Sequence, residues 1–67
     1  MEFKKEELVD REVEIAGYLL QDFSLKLISK RTGLSKKLIA AHIHNMMKKL
    51  NAVNREGLMK LLKVMRL

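Results

Sequence analysis

The stretch Ser24-Leu25-Lys26-Leu27-Ile28-Ser29-Lys30-Arg31-Thr32-Gly33-Leu34-Ser35-Lys36-Lys37 decides the fold. Ser24 and Ser35 are the kind of side chain that accepts a backbone N–H at the start of a helix. Gly33 lies between them and can take the left-handed conformation that ends a helix without a Cβ penalty. A short helix therefore runs over 25–32, and a second begins at 36. Within the first, Leu27, Ile28 and the stem of Arg31 face the interior. Ser29 is small enough to let the two helices approach closely, and Leu34 fills the space between them.

The second of these helices is the longest in the chain, over about 36–50. Ile39, Ile43, Met46 and Leu50 fall at i, i+4, i+7 and i+11, one face turned to a core. Lys37, Ala40, Ala41, His44 and Lys48 lie on the opposite side. Asn51 suits the end of this helix, and Asn54 can cap a last one that reaches Met65. Upstream, Asp10 caps a first helix whose apolar stripe is Ile15, Leu19 and Tyr18, with a break at Asp22-Phe23. Leu8 and the charged residues before it form a short lead-in. With no proline and only three glycines, the prediction is an all-α fold. It has four helices, over about 10–21, 25–32, 36–50 and 54–65, in a single domain, 1–67. The middle pair has the layout of a helix-turn-helix.

Sixty-seven residues bury roughly 60% of the unfolded surface, enough for one small core. The 14 Lys and Arg against 8 Asp and Glu give a formal charge of +6, which points to anionic partners, nucleic acid first. The charge is divided along the chain. Residues 1–22 carry seven acids and three bases, whereas residues 23–67 carry eleven bases and one acid, Glu56. A binding surface and a solvated lysine-rich face both fit that division. There is no cysteine, which removes disulfides and thiolate metal sites. No apolar run approaches the ~20 residues that span a bilayer, and no apolar stretch follows the N-terminal charges as in a secretory signal. A cytoplasmic, non-membrane protein is the expectation.

Leu8-Val9-Asp10-Arg11-Glu12-Val13-Glu14-Ile15 stands where one family carries Leu-Thr-Pro followed by Arg-Glu-x-Glu-Val. His42, Asn45, Met46, Lys49 and Leu50 stand where it carries His-x-x-Asn-Ile-x-x-Lys-Leu, and Asn54-Arg55 matches the pair that opens its fourth helix. Over about residues 8–58, without a gap, the chain resembles the LuxR/GerE-type (NarL/FixJ) DNA-binding domain of bacterial transcription regulators. The resemblance implies a third helix that enters the major groove of double-stranded DNA and a fourth that pairs with a second copy, giving a homodimer. Many members carry a sensor domain upstream. None stands in this sequence, so a stand-alone regulator or an excised output domain is expected, with a sensor domain or partner regulator as a further partner. Two residues depart from the family pattern. Leu38 replaces a Thr or Ser that would donate to phosphate, and Ala40 replaces a Lys or Arg. With Ala41 beside it, the reading face offers methyl groups, and His44 is the polar side chain at its centre. Contacts weighted toward the backbone, with modest base specificity, are expected.

The expected DNA-binding residues are Ser35, Lys36, Lys37, Ala40, Ala41, His44, Asn45, Lys48 and Arg55, with Lys26 and Lys49 as further candidate phosphate contacts. Ser35 can combine cap and phosphate roles. On the last helix, Leu58, Leu61, Leu62 and Met65 suffice to pack onto the bundle. Met59, Val64 and Leu67 are surplus and call for a two-fold interface, unless they pack on Phe3 or fray. The expected dimer contacts are Leu58, Met59, Leu62 and Met65. His42 and His44, at i and i+2, project about 200° apart and cannot share one ion. His42 reads as a partly buried residue that bridges helices. No metal or cofactor is expected, and no enzyme activity, for want of a cysteine nucleophile or a glycine-rich phosphate loop. The competing account is a protein-interaction module that keeps the fold, pairs with or sequesters another regulator, and does not bind DNA specifically.

Overall fold

The computed structural model describes residues 8–65. Among them are four helices and no strand: α1 (Asp10–Leu20), α2 (Leu25–Thr32), α3 (Lys36–Lys49) and α4 (Arg55–Met65). The all-α, four-helix prediction holds, with bounds that shift by one residue at most. Phe3, Leu67 and the lead-in before Leu8 lie outside the described residues.

Helix starts follow the predicted chemistry in three cases out of four. Ser24 Oγ accepts from the Leu27 N–H at 3.2 Å, and Ser35 Oγ accepts from the Leu38 N–H at 3.1 Å. Asn54 Oδ1 accepts from the Gly57 N–H at 2.8 Å. The exception is α1. Asp10 is the first helical residue rather than the cap, and Val9 occupies the cap position. Valine has no side-chain acceptor, so the start is closed from the other direction: the Val9 N–H donates to Glu12 Oε1 at 3.2 Å. Asp10 still places negative charge at the positive end of the helix dipole.

The ends of α1, α2 and α3 share one device, a single residue with left-handed backbone. These residues are Asp22 (φ 61°), Gly33 (φ 77°) and Asn51 (φ 56°). After α1, the Phe23 N–H donates to the Tyr18 carbonyl at 3.1 Å and the Asp22 N–H to the Leu19 carbonyl at 2.9 Å, the paired bonds of a Schellman end. Its apolar contact is aromatic, with the Tyr18 and Phe23 rings stacked at 5.2 Å. After α3 the same pair recurs, from Ala52 to Met47 at 2.8 Å and from Asn51 to Lys48 at 3.3 Å. Gly33 makes the simpler form, with one bond to the Ser29 carbonyl at 2.9 Å.

The turn at Gly33 carries two further ties. The Ser29 hydroxyl donates to the Leu34 carbonyl at 2.6 Å. The Thr32 hydroxyl donates to the Ile28 carbonyl at 2.8 Å and accepts from the Leu34 N–H at 3.2 Å. Ser29 thus acts through its hydroxyl, beyond the small size expected of it. Arg31 is exposed, with its guanidinium over the Phe23 ring at 5.5 Å rather than its stem in the core. In this helix Leu25 packs on the core beside the buried Ile28, while Leu27 is only half-buried.

The core gathers Leu8, Ile15, Ala16, Leu19, Ile28, Leu58 and Leu62 around the inner face of α3, formed by Ile39, Ile43, Met46 and Leu50. All four predicted core positions of α3 are buried. α3 packs against α1, α2 and α4, and α1 also packs against α4. Each fully buried Ile, Leu or Met contributes about 1.5–3 kcal/mol. Against a typical domain stability of about 5–15 kcal/mol, α3 cannot tilt without the fold being lost. Its outer face is correspondingly fixed in place.

Candidate nucleic-acid interface

The outer face of α3 follows from the burial of its inner one. Lys36, Lys37, Ala40, Ala41, His44, Asn45 and Lys48 are all exposed, as are Ser35 before the helix and Arg55 at the start of α4. Ala41 sits between Lys37 and Leu38 on one side and His44 and Asn45 on the other, because residues three and four apart are neighbours on a helix surface. Leu38 is 44% exposed, an apolar side chain at the edge of a face otherwise bordered by lysine. Along α3 there are four lysines and no carboxylate. The acids among the described residues other than Glu56 are Asp10, Glu12, Glu14 and Asp22, on α1 or at its end. The carboxylates thus gather on α1 and at its end, and α3 carries none.

Lys49 has a different task from the one expected of it. Its Nζ lies 2.7 Å from Glu12 Oε1, and Glu12 is 2% exposed in the core side of α1. A buried carboxylate stripped of water requires a partner, and removing that partner is far more costly than the pair is stabilising. Lys49 is thus committed to holding α1 against α3. The other exposed cations on α2, α3 and α4 are Lys26, Lys30, Arg31, Lys36, Lys37, Lys48, Arg55, Lys60 and Lys63, while Arg11 on α1 is paired with Glu14 at 3.0 Å. Lys30, in the last turn of α2, did not emerge from the sequence reading, since nothing in its local pattern distinguishes it from a solvated lysine.

Ser35 spends its hydroxyl oxygen on the Leu38 N–H and keeps its hydrogen as a donor. His42 is half-buried, and its Nδ1 is buried without a hydrogen-bond partner among the described residues. His44 is exposed on the other side of the helix. Among the described residues no group of His, Cys, Asp or Glu could hold a metal ion.

The fourth helix departs from its expected contact set. Leu58 and Leu62 are 0% exposed within the single chain, so they hold α4 to its own domain and present nothing to a partner. Met59, Leu61 and Met65 are partly buried against the same core. Val64, at 73% exposed, is the apolar residue of α4 that projects farthest into solvent. The spacing i, i+3, i+4, i+7 identified the apolar side of α4 but could not divide it between core and surface.

No described helix is long and apolar enough to cross a membrane. No curated protein and no solved structure gives a significant match to the chain. The model of the family described as "Bacterial regulatory proteins, luxR family" (GerE) matches residues 6–62, a span slightly wider at both ends than the resemblance over 8–58. A four-helix bundle with its glycine turn between α2 and α3, matched over nearly its whole length, belongs to the GerE-type LuxR family of bacterial regulatory proteins.

Proposed function

We propose that this chain is a DNA-binding transcription regulator that works in the cytoplasm, as a stand-alone regulator or as the output domain of a longer one. In this reading α3 docks in the major groove and the basic residues around it grip the backbone. The observation that carries the reading is the outer face of α3, rigidly mounted, edged by lysines and free of carboxylates. Lys26, Lys36, Lys37, Lys48 and Arg55 are the phosphate contacts. Five of them release enough counterions for log K to fall against log salt with a slope of about −4 to −5 per protomer. Ala40, Ala41, His44 and Asn45 face the bases.

The domain pairs with a second copy across α4, on the apolar side chains that its own core leaves over: Leu61, Val64 and Met65, with Met59 at the margin. A two-fold contact there places two copies of α3 on an inverted repeat. Pairing with another regulator without DNA is the second reading, favoured by the exposure of Leu38 and Val64.

A pool of random duplexes titrated with the purified domain at several salt concentrations tests the proposal. Enrichment of an inverted repeat with a steep salt slope is the expected result. No retention at low salt would sink it and leave the pairing module. Lys37→Glu separates the two accounts. It lowers DNA affinity tenfold or more under the first, and leaves association between chains unchanged under the second.

A further inference from the structure

We infer that α3 selects A·T base pairs by packing the 5-methyl group of thymine against Ala41 and Leu38, in place of a charged hydrogen-bond contact to a base; this rests on the DNA-binding reading above. Ala41 is exposed at the middle of the outer face, and Leu38 is its neighbour three residues earlier, 44% exposed. Together they make an apolar step in a surface bordered by Lys37 and Lys48. An exposed apolar side chain in that position suits an occupant that is itself apolar yet belongs to a polyanion. In the major groove the thymine methyl is the group of that kind, and alanine is among the side chains suited to contact it. Asn45, one turn beyond Ala41 and also exposed, offers the donor and acceptor pair that matches adenine N6 and N7. The two neighbours therefore point to the two halves of one base pair. Alanine at position 40 presents a further exposed methyl group on the same helix.

The experiment uses the whole chain and fluorescence anisotropy. The probes are a duplex of alternating A·T and T·A pairs, the same duplex with every thymine replaced by deoxyuridine, and an alternating G·C duplex. The deoxyuridine duplex keeps every hydrogen-bonding group and loses only the methyls. The thymine duplex is expected to bind about fourfold tighter for each contacted methyl, from the burial of one methyl group, with the same salt slope. Leu38→Gln and Ala41→Ser, both at exposed positions, should each reduce the thymine-to-uracil ratio toward one without changing that slope. Equal binding of the thymine and deoxyuridine duplexes overturns the inference and leaves the DNA-binding reading intact. A ratio that survives unchanged in both variants assigns the methyl effect to DNA shape and also overturns it. Absence of binding to all three duplexes at low salt overturns the DNA-binding reading, and the inference with it.

Discussion

At its N-terminal end α3 is held by hydrogen bonds between residues no more than five apart in sequence, from Ser29, Thr32, Gly33 and Ser35. At its C-terminal end it is held by Lys49 reaching Glu12, 37 residues away, together with the Schellman bonds around Asn51. The first set fixes the angle at which α3 leaves α2 and needs only the local chain to form. In the second, the Schellman bonds are local as well, but the Lys49–Glu12 contact exists only once α1 has packed, and it fixes α3 against the rest of the core. A helix that presents a surface to a rigid duplex requires both: one end sets direction, and the other sets depth.

Breaking the long-range end should have the largest effect. Lys49→Met leaves the Glu12 carboxylate buried and unpaired, at a cost of about 2–3 kcal/mol; this is below the usual range for a buried pair because Lys49 is partly solvated. Urea unfolding reads the loss as a lower midpoint, and adding Glu12→Gln to the same chain should restore most of it. A midpoint unchanged in Lys49→Met would mean that the pair does not hold the helices together. Next in size is the local end. Gly33→Ala has open space for its Cβ but places it at φ 77°, and should destabilise by about 1–2 kcal/mol through backbone strain alone. Gly33→Asn should cost less than Gly33→Ala, since asparagine tolerates this conformation better. The smallest effect falls on the other left-handed residue next to α3. Asn51→Gly relieves little strain and adds unfolded-state entropy, so thermal unfolding should shift by less than about 0.5 kcal/mol in either direction. A loss as large as that of Gly33→Ala would erase the difference between the two ends.

The same contrast explains what could be read in advance. Ser24, Ser35, Asn54 and Gly33 act within a few residues of themselves, so residue type and spacing reveal them. The four buried positions of α3 follow from the helical period in the same way. The start of α1 differs from the expectation because Asp10 is a good cap by type, while the helix is closed by Glu12, which accepts the Val9 N–H three residues earlier; Glu12 also accepts from Lys49, a contact that only folding creates. Lys49 looked like a phosphate ligand for the same reason: a lysine in a basic stretch carries no local mark of a carboxylate brought up by folding. On α4, apolar residues at both core and margin positions blurred the boundary, and only the burial of Leu58 and Leu62 separates what the domain keeps from what it leaves exposed.

The aromatic contact that closes α1 has a practical consequence. Tyr18 is the chain's single tyrosine, and there is no tryptophan. The tyrosine emission of the unlabelled protein therefore originates at one corner, where Tyr18 stacks on Phe23 and Phe23 lies beneath Arg31. That corner joins the end of α1 to α2. Intrinsic tyrosine fluorescence will thus report the integrity of the α1–α2 turn, whereas binding at the outer face of α3 has to be followed by a label on the ligand.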